Sequence, residues 1–325
     1  MTTISILMPV YNGMPYISEA VDSVLAQDYK DWELVISDNG STDETCAYLD
    51  TLNDARIKIY KQETNLGIFG NLNFLLKSAQ TPIAKILCAD DKLLHGALNP
   101  IVHFMKSHPS CAISRCLAQG DKQKFMPGAK AELEGALPSR LEPSAALLAF
   151  ATFGNLIGNL SKATCRPDLV IEMGGFDQNF PYAGDYEGWA RVAERYGLDL
   201  QNEELIFERV HPAQNSNLLN LKNELYQQVN MILENLSAQV CDFDLAILKR
   251  HWTIHFLAPR LSRIFRQILT GKFGLVKQPL HNLPFCISKS AVIISYPIWK
   301  FNMPIAQATT RQLFNRIIEL NGKLS

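Results

Sequence analysis

A chain of 325 residues, 47% hydrophobic and 19% charged, is long enough for one large domain with an appendage and lies outside the disordered class. Its net charge of −1 conceals an asymmetry: residues 1–244 carry 19 Lys+Arg against 31 Asp+Glu, whereas residues 245–325 carry 12 against one acid, Glu319. The seven cysteines are odd in number and form no CxxC pair, which favours a reducing compartment over a disulfide framework or a zinc site.

The chain opens with a short apolar run, Ile4 to Met8, that ends at Pro9 and reads as a strand delivering Tyr11-Asn12-Gly13 to a loop. Ile17, Ala20, Val21, Val24 and Leu25 recur at helical spacing. Glu33 to Ser37 is a second strand, ending in Asp38-Asn39-Gly40. Ser41-Thr42-Asp43-Glu44 has capping-box spacing and predicts a helix to about residue 53. Ile57 to Tyr60 is a third strand, and Phe69, Leu72, Leu75, Leu76 and Ala79 mark another helix. Ile83 to Leu87 is a fourth strand, running into Ala89-Asp90-Asp91.

Strand–helix alternation of this kind predicts a parallel α/β sheet with right-handed crossovers. Ligands in such sheets bind at the carboxyl ends of the strands. Tyr11-Asn12, Asp38-Asn39 and Asp90-Asp91 all fall there.

Between residues 110 and 150 Gly and Pro punctuate polar stretches, and loops with irregular strands over the acceptor side are expected. Trp189, Val192, Ala193 and Tyr196 mark a helix with Asp185 and Glu187 near its start, and Trp189 is expected to pack its inner face. Cys111 and Cys116 read as buried thiols. Leu205 to Val210 reads as an edge strand leading to His211-Pro212. The expected division is a catalytic domain over 1–220 and a helical, basic region over 221–325.

Several segments together resemble family 2 glycosyltransferases. They are Pro9-Val10-Tyr11-Asn12-Gly13, Ser23-Val24-Leu25-Ala26-Gln27 and Trp32 through Asp43, followed by Asn65-Leu66-Gly67 with Asn71 and Asn73, and Asp90-Asp91. Gly174-Gly175-Phe176-Asp177, Asp185-Tyr186-Glu187-Gly188-Trp189 and Arg209-Val210-His211-Pro212 continue the set in the family's order, so the resemblance covers residues 3–216. It implies a GT-A fold and inverting transfer of one sugar from a nucleotide-sugar donor, expected to be a UDP-sugar, to a glycan or glycolipid acceptor.

By the same resemblance Asp38 recognises the nucleobase, with Pro9, Tyr11 and Asn12 lining that pocket and Asn65, Gly67 and Asn71 belonging to the donor site. Asp90 matches the aspartate that holds Mg²⁺ or Mn²⁺ against the diphosphate, and Asp91 the acid beside it. Asp185 matches the general base, and His211 a residue folded over the diphosphate. Two positions depart from the family pattern. Cys88 stands where an acid contacts the ribose, and Gly184 stands where Glu precedes the base. A thiol cannot make the carboxylate's bonds to a ribose hydroxyl.

The alternatives are a silent nucleotide- or glycan-binding protein, kept open by Cys88 and Gly184, and a sugar-nucleotidyltransferase. The latter would need a basic Gly-rich loop where Tyr11-Asn12-Gly13-Met14-Pro15 stands. No leader and no apolar run of about 18 residues is evident, so a cytoplasmic protein without an ordinary spanning helix is expected. Arg260, Arg263 and Arg266, interleaved with Leu261, Ile264, Phe265, Ile268 and Leu269, suggest a basic amphipathic helix on the cytoplasmic face of an anionic membrane. Packing on the catalytic domain, or on a second subunit in an oligomer, is the other use of that helix. Nucleic acid is not an expected partner, since no reader motif accompanies the charge.

Overall fold

The computed structural model describes residues 2–121, 137–211, 223–257 and 304–322. The chain divides into two compact units. The first comprises Met1–Gln123, Pro138–Pro143 and Ile157–Pro212, and the second comprises Lys124–Leu137, Ser144–Leu156 and Ala213–Ser325.

The first unit is a mixed sheet of nine strands: β1 (Ile4–Val10), β2 (Trp32–Asp38), β3 (Ile57–Lys61), β4 (Ile83–Ile86), β5 (Lys92–Leu93), β6 (Ile113–Ala118), β7 (Arg140–Leu141), β8 (Ala163–Cys165) and β9 (Leu198–Phe207). Their order is β3-β2-β1-β4-β8-β6-β9-β5, with β7 on β9. The first four strands named in that order run parallel, as the alternation predicts. Beyond β4 the sheet turns mixed, because β8 runs antiparallel to both β4 and β6.

Helices α1 (Ile17–Leu25), α2 (Thr45–Leu49), α3 (Gly67–Ser78), α4 (Leu98–Ser107), α6 (Pro167–Glu172) and α7 (Gly184–Tyr196) belong to this unit. The helix α1 buries Ile17, Ala20, Val21 and Val24, one stripe at helical spacing. These join Ile4, Ile6 and Met8 of β1 and Leu98, Ile101 and Met105 of α4 in one core. The helix α3 packs on β1 and β2. Trp189 is fully buried and meets Phe176 edge-on at 4.9 Å, and Cys111 and Cys116 are buried thiols. The six described cysteines are free.

Several sequence expectations are corrected. The stretch around 110–150 holds a central strand, β6, buried along its whole length, and a helix, α5 (Pro143–Phe153), whose residues from Ala145 onward are all buried. A helix covered on every side loses the stripe that would reveal it, and buried Ser114 and Arg115 interrupt the apolar run of β6. Strand β9 starts at Leu198, ends at Phe207 and lies inside the sheet, with β6 on one side and β5 and β7 on the other, so Leu205–Val210 is not an edge strand. The capping box does not form either. Asp43 Oδ1 accepts the Thr45 N–H at 3.0 Å, Ser41 is engaged elsewhere, and α2 ends at Leu49.

In the second unit the described helices are α5 from Ser144 onward, α8 (Asn223–Ser237), α9 (Asp242–Trp252) with a π-turn over Thr253–Leu257, and α10 (Pro304–Gly322). No helix among the described residues is long and apolar enough to cross a membrane. The basic segment around Arg260 to Arg266 lies outside the described residues.

The core of this unit holds a polar knot. Trp252 Nε1–H donates to the Ala151 carbonyl at 2.6 Å, and the Thr310 hydroxyl lies 3.2 Å from both His251 Nδ1 and His255 Nε2. Burial, assisted by His255, pushes the His251 pKa down from 6.5 to about 3. Between those values the unfolded chain binds a proton that the folded unit refuses, so stability is full above about pH 6.5 and is lost as the pH falls. The unit should lose about 2 kcal/mol from this group between pH 7.5 and pH 5. Hydrogen exchange of the α9 amides at the two pH values measures it, and the slope should vanish in His251→Gln.

Candidate active site

The register pairs Val10 with Asp38, so β1 and β2 end at one level and release their loops side by side. Asn12 takes φ 53°, the left-handed region that Asn tolerates better than most residues. Its Oδ1 accepts the Thr42 N–H at 2.8 Å, while its own N–H donates to Ser41 Oγ at 2.8 Å. The Ser41 hydroxyl in turn donates to Asp38 Oδ1, and the Cys46 thiol donates to Asp38 Oδ2 at 2.9 Å. The Asp38 carboxylate raises the thiol's pKa. Asp38 is thus buried and held by donors on both oxygens, whereas Tyr11 stands 51% exposed beside it and Pro9 is half-buried.

The next loop joins the same cluster through paired amides. Asn39 Nδ2–H donates to Asn65 Oδ1 at 2.9 Å, and Asn39 Oδ1 accepts the Leu66 N–H at 2.8 Å. Asn65 and Gly67 remain exposed at the start of α3. Asn71, one turn on, is fully buried and donates from Nδ2 to the Ser37 carbonyl at 2.9 Å, supporting the end of β2 from beneath.

Gly13 brings the acidic turn close: a Cβ there would meet Val10 Cγ2 at 2.6 Å and Ala89 at 3.6 Å. A Cys88 Sγ, an Asp90 oxygen and an Asp91 oxygen lie within 4.8 Å of one another. The two acids differ in setting. Asp91 is fully buried and accepts the Arg209 N–H at 2.9 Å and the Asn159 amide at 3.1 Å. Burial, with Asp90 adding to it, pushes its pKa up to about 6 against the pull of Ser161, Arg209 and Asn159. Asp90 is 29% exposed, and its Oδ2 lies 3.1 Å from His211 Nε2. The Cys88 thiol is driven well above its ordinary pKa by burial and by the neighbouring acids, so it stays protonated.

Asp185 is the second residue of α7, half-buried, with its Oδ1 accepting the Tyr186 N–H at 2.8 Å. Two contacts seat the helix. Asn73 of α3 bonds both backbone groups of Phe176, at 2.7 and 2.8 Å, while Arg191 of α7 pairs with Glu187 at 2.8 Å and donates to the Gly175 carbonyl at 2.7 Å. Phe69 stacks on Phe176 at 5.7 Å and fills the space beside Gly184. A Cβ at 184 would lie 2.7 Å from two atoms of that ring, so the position as packed admits only glycine. Gly184→Ala should therefore destabilise the unit by about 1–3 kcal/mol, the usual cost of overpacking. Urea unfolding would test this, and a Phe69→Leu partner should recover much of the loss.

The structure thus gathers Pro9, Tyr11, Asn12, Asp38, Asn65 and Gly67 in one loop cluster and Asp90, Asp91 and His211 in another, adjoining at Gly13. Gly184, the residue before Asp185, packs against Phe69 of α3, the helix that begins at the first cluster. Cys46, Asn159 and Ser161 are partners that sequence reading did not single out, and Ser41 was read there only as a helix cap. Arg209 was visible only as a member of the Arg209-Val210-His211-Pro212 segment.

Residues 5–160 match the family described as Glycosyl transferase family 2. A relative from Escherichia coli, the UDP-Glc:alpha-D-GlcNAc-diphosphoundecaprenol beta-1,3-glucosyltransferase WfaP, is 27% identical over 237 residues, which is 71% of this chain and 86% of that protein. Among solved structures, S. aureus TarS 1-349 in complex with UDP-GlcNAc superposes with a TM-score of 0.57 at 16% identity, covering 98% of this chain and 92% of that one. The mannosyltransferase PcManGT of Pyrobaculum calidifontis, solved with GDP-Man and Mn²⁺, gives 0.52 at 17%, covering 98% and 86%. The sheet, with helices on its faces and loop clusters at its strand ends, is the GT-A fold of these neighbours. Over residues 5–160 the chain belongs to glycosyltransferase family 2.

Proposed function

We propose that the protein transfers one sugar, with inversion, from a UDP-sugar to a lipid-linked glycan at the cytoplasmic face of a membrane. The observation that carries this reading is the pairing of a half-exposed carboxylate, Asp90, with His211 next to a loop cluster built around Asp38 and an exposed Tyr11. The solved relative that binds UDP-GlcNAc and the sequence relative that acts on a diphosphoundecaprenol-linked sugar support the donor and acceptor classes.

The residues divide the work. Tyr11 offers a ring face to the base, Asp38 and the backbone around it supply its polar contacts, and Asn65 and Gly67 border the donor. Asp90 has the carboxylate oxygens that suit Mg²⁺ or Mn²⁺, with phosphate oxygens completing the shell, and His211 beside it faces the diphosphate. The bound cation supplies charge neutralisation of the departing diphosphate. Buried Asp91 shapes this turn through Asn159 and Arg209. Asp185 accepts the proton of the acceptor hydroxyl as its oxygen attacks the anomeric carbon from the face opposite the leaving nucleoside diphosphate. The C-terminal unit contributes contacts to the acceptor, the membrane or a second subunit.

A donor screen tests the reading. Purified protein is incubated with nucleotide sugars and a membrane lipid extract, with Mn²⁺ or with EDTA, and released nucleoside diphosphate is measured. Release from a UDP-sugar that requires both lipid and metal is the expected result. Release from another nucleotide class, or release unaffected by EDTA, would overturn the donor or the metal assignment.

A further inference from the structure

Resting on that functional reading, we propose that Arg209 is a positioning residue that holds the Asp90–Asp91 turn in the geometry that binds the cation and the donor diphosphate. One residue makes four separate attachments there. Its N–H donates to Asp91 Oδ1 at 2.9 Å, and its Nε–H donates to the Asp90 carbonyl at 3.1 Å. Its Nη2 donates to Glu19 of α1 at 2.9 Å, and its guanidinium lies 4.7 Å from the centre of the Tyr16 ring. Glu19 also takes Lys92, the residue directly after the acidic turn, at 3.0 Å.

His211, two residues on, completes the arrangement. Its ring packs on the same Tyr16 ring at 4.7 Å while its Nε2 faces the Asp90 carboxylate. The segment after β9 therefore grips the backbone of Asp90 through Arg209 and its carboxylate through His211, with Tyr16 as the common seat. If this seat failed, Asp90 would keep its charge but lose its direction. Only a planar fork can bond a carbonyl with one edge, a carboxylate with another and a ring with its face. A lysine would preserve the charge and none of that geometry.

This separates positioning from simple electrostatics. Were Arg209 only a nearby positive charge, it would repel a cation, so Arg209→Ala would tighten Mn²⁺ binding and Arg209→Lys would behave like the parent. Positioning predicts the opposite on both counts.

The experiment measures Mn²⁺ affinity of the full chain by electron paramagnetic resonance without donor, alongside KM and kcat for the UDP-sugar found in the screen. Arg209→Lys and Arg209→Ala should each weaken Mn²⁺ binding and raise the donor KM about tenfold, the effect of losing one charge-assisted hydrogen bond, with kcat changing less. Glu19→Gln, at a more exposed contact, should move both about two- to threefold. An Arg209→Lys protein with parental Mn²⁺ affinity and KM would overturn the inference, as would tighter binding in Arg209→Ala. Should Arg209→Ala fail to fold, the Lys and Glu19→Gln variants still decide it. A parent that releases no nucleoside diphosphate and binds no Mn²⁺ would overturn the functional reading itself, a result distinct from the others.

Discussion

Asp185→Asn is expected to lower the rate of sugar transfer about a thousandfold while leaving UDP affinity unchanged, since a placed general base contributes about 10²–10⁴. The substitution is nearly isosteric. The amide oxygen can still accept the Tyr186 N–H, so the first turn of α7 keeps its bond. The seats that orient the helix, Asn73 on Phe176 and Arg191 on Gly175, do not involve residue 185. What disappears is the ability to take a proton. Single-turnover transfer and calorimetric UDP titration would measure the two effects separately. A rate within tenfold of the parent would remove Asp185 from the mechanism.

Asp90→Asn should abolish the response to Mn²⁺ and reduce turnover about a hundredfold or more, because charge stabilisation of a departing diphosphate amounts to several kcal/mol. The amide can still meet His211, so the loss reports charge rather than collapse of the turn. The neighbouring Asp91→Asn is the informative contrast. Asp91 is buried and receives donors from Asn159, Ser161 and Arg209, and an amide offers only one acceptor atom to them. That variant should lose stability in urea, whereas Asp90→Asn should keep it. Equal stability losses in the two variants would show that Asp90 is also part of the scaffold.

The parts of the fold that could be read in advance were a helix with one apolar stripe and strands written as unbroken apolar runs, although those strands are buried on both faces. Helix α1 shows its stripe, and the first, second and fourth strands run straight into the polar pairs at their ends. Helix α5 escaped because it is buried all round and leaves no period to detect, and strand β6 because buried Ser114 and Arg115 interrupt its apolar run. The Ser41 motif misled for a different reason: a hydroxyl that could cap a helix was taken by Asp38, a competition that local spacing does not reveal.

Asp38, Asp90 and Asp185 were legible as candidates by their order along the chain. The Gly184–Phe69 fit and the Arg209 attachments were not, since each joins segments that are remote in sequence and meet only through the sheet.

The bonds between the first two loops have a thermodynamic consequence. Asn12 to Thr42, Asn12 to Ser41 and Gly13 to Thr45 fix both loops to each other at 2.8 Å apiece. Ordering a residue's backbone costs about 1–2 kcal/mol of conformational entropy, and here that cost was met when the chain folded. A ligand entering between these loops therefore orders little backbone and keeps most of its contact energy as affinity. In the proposed function, recognition by these two loops is inherited from the sheet that holds them.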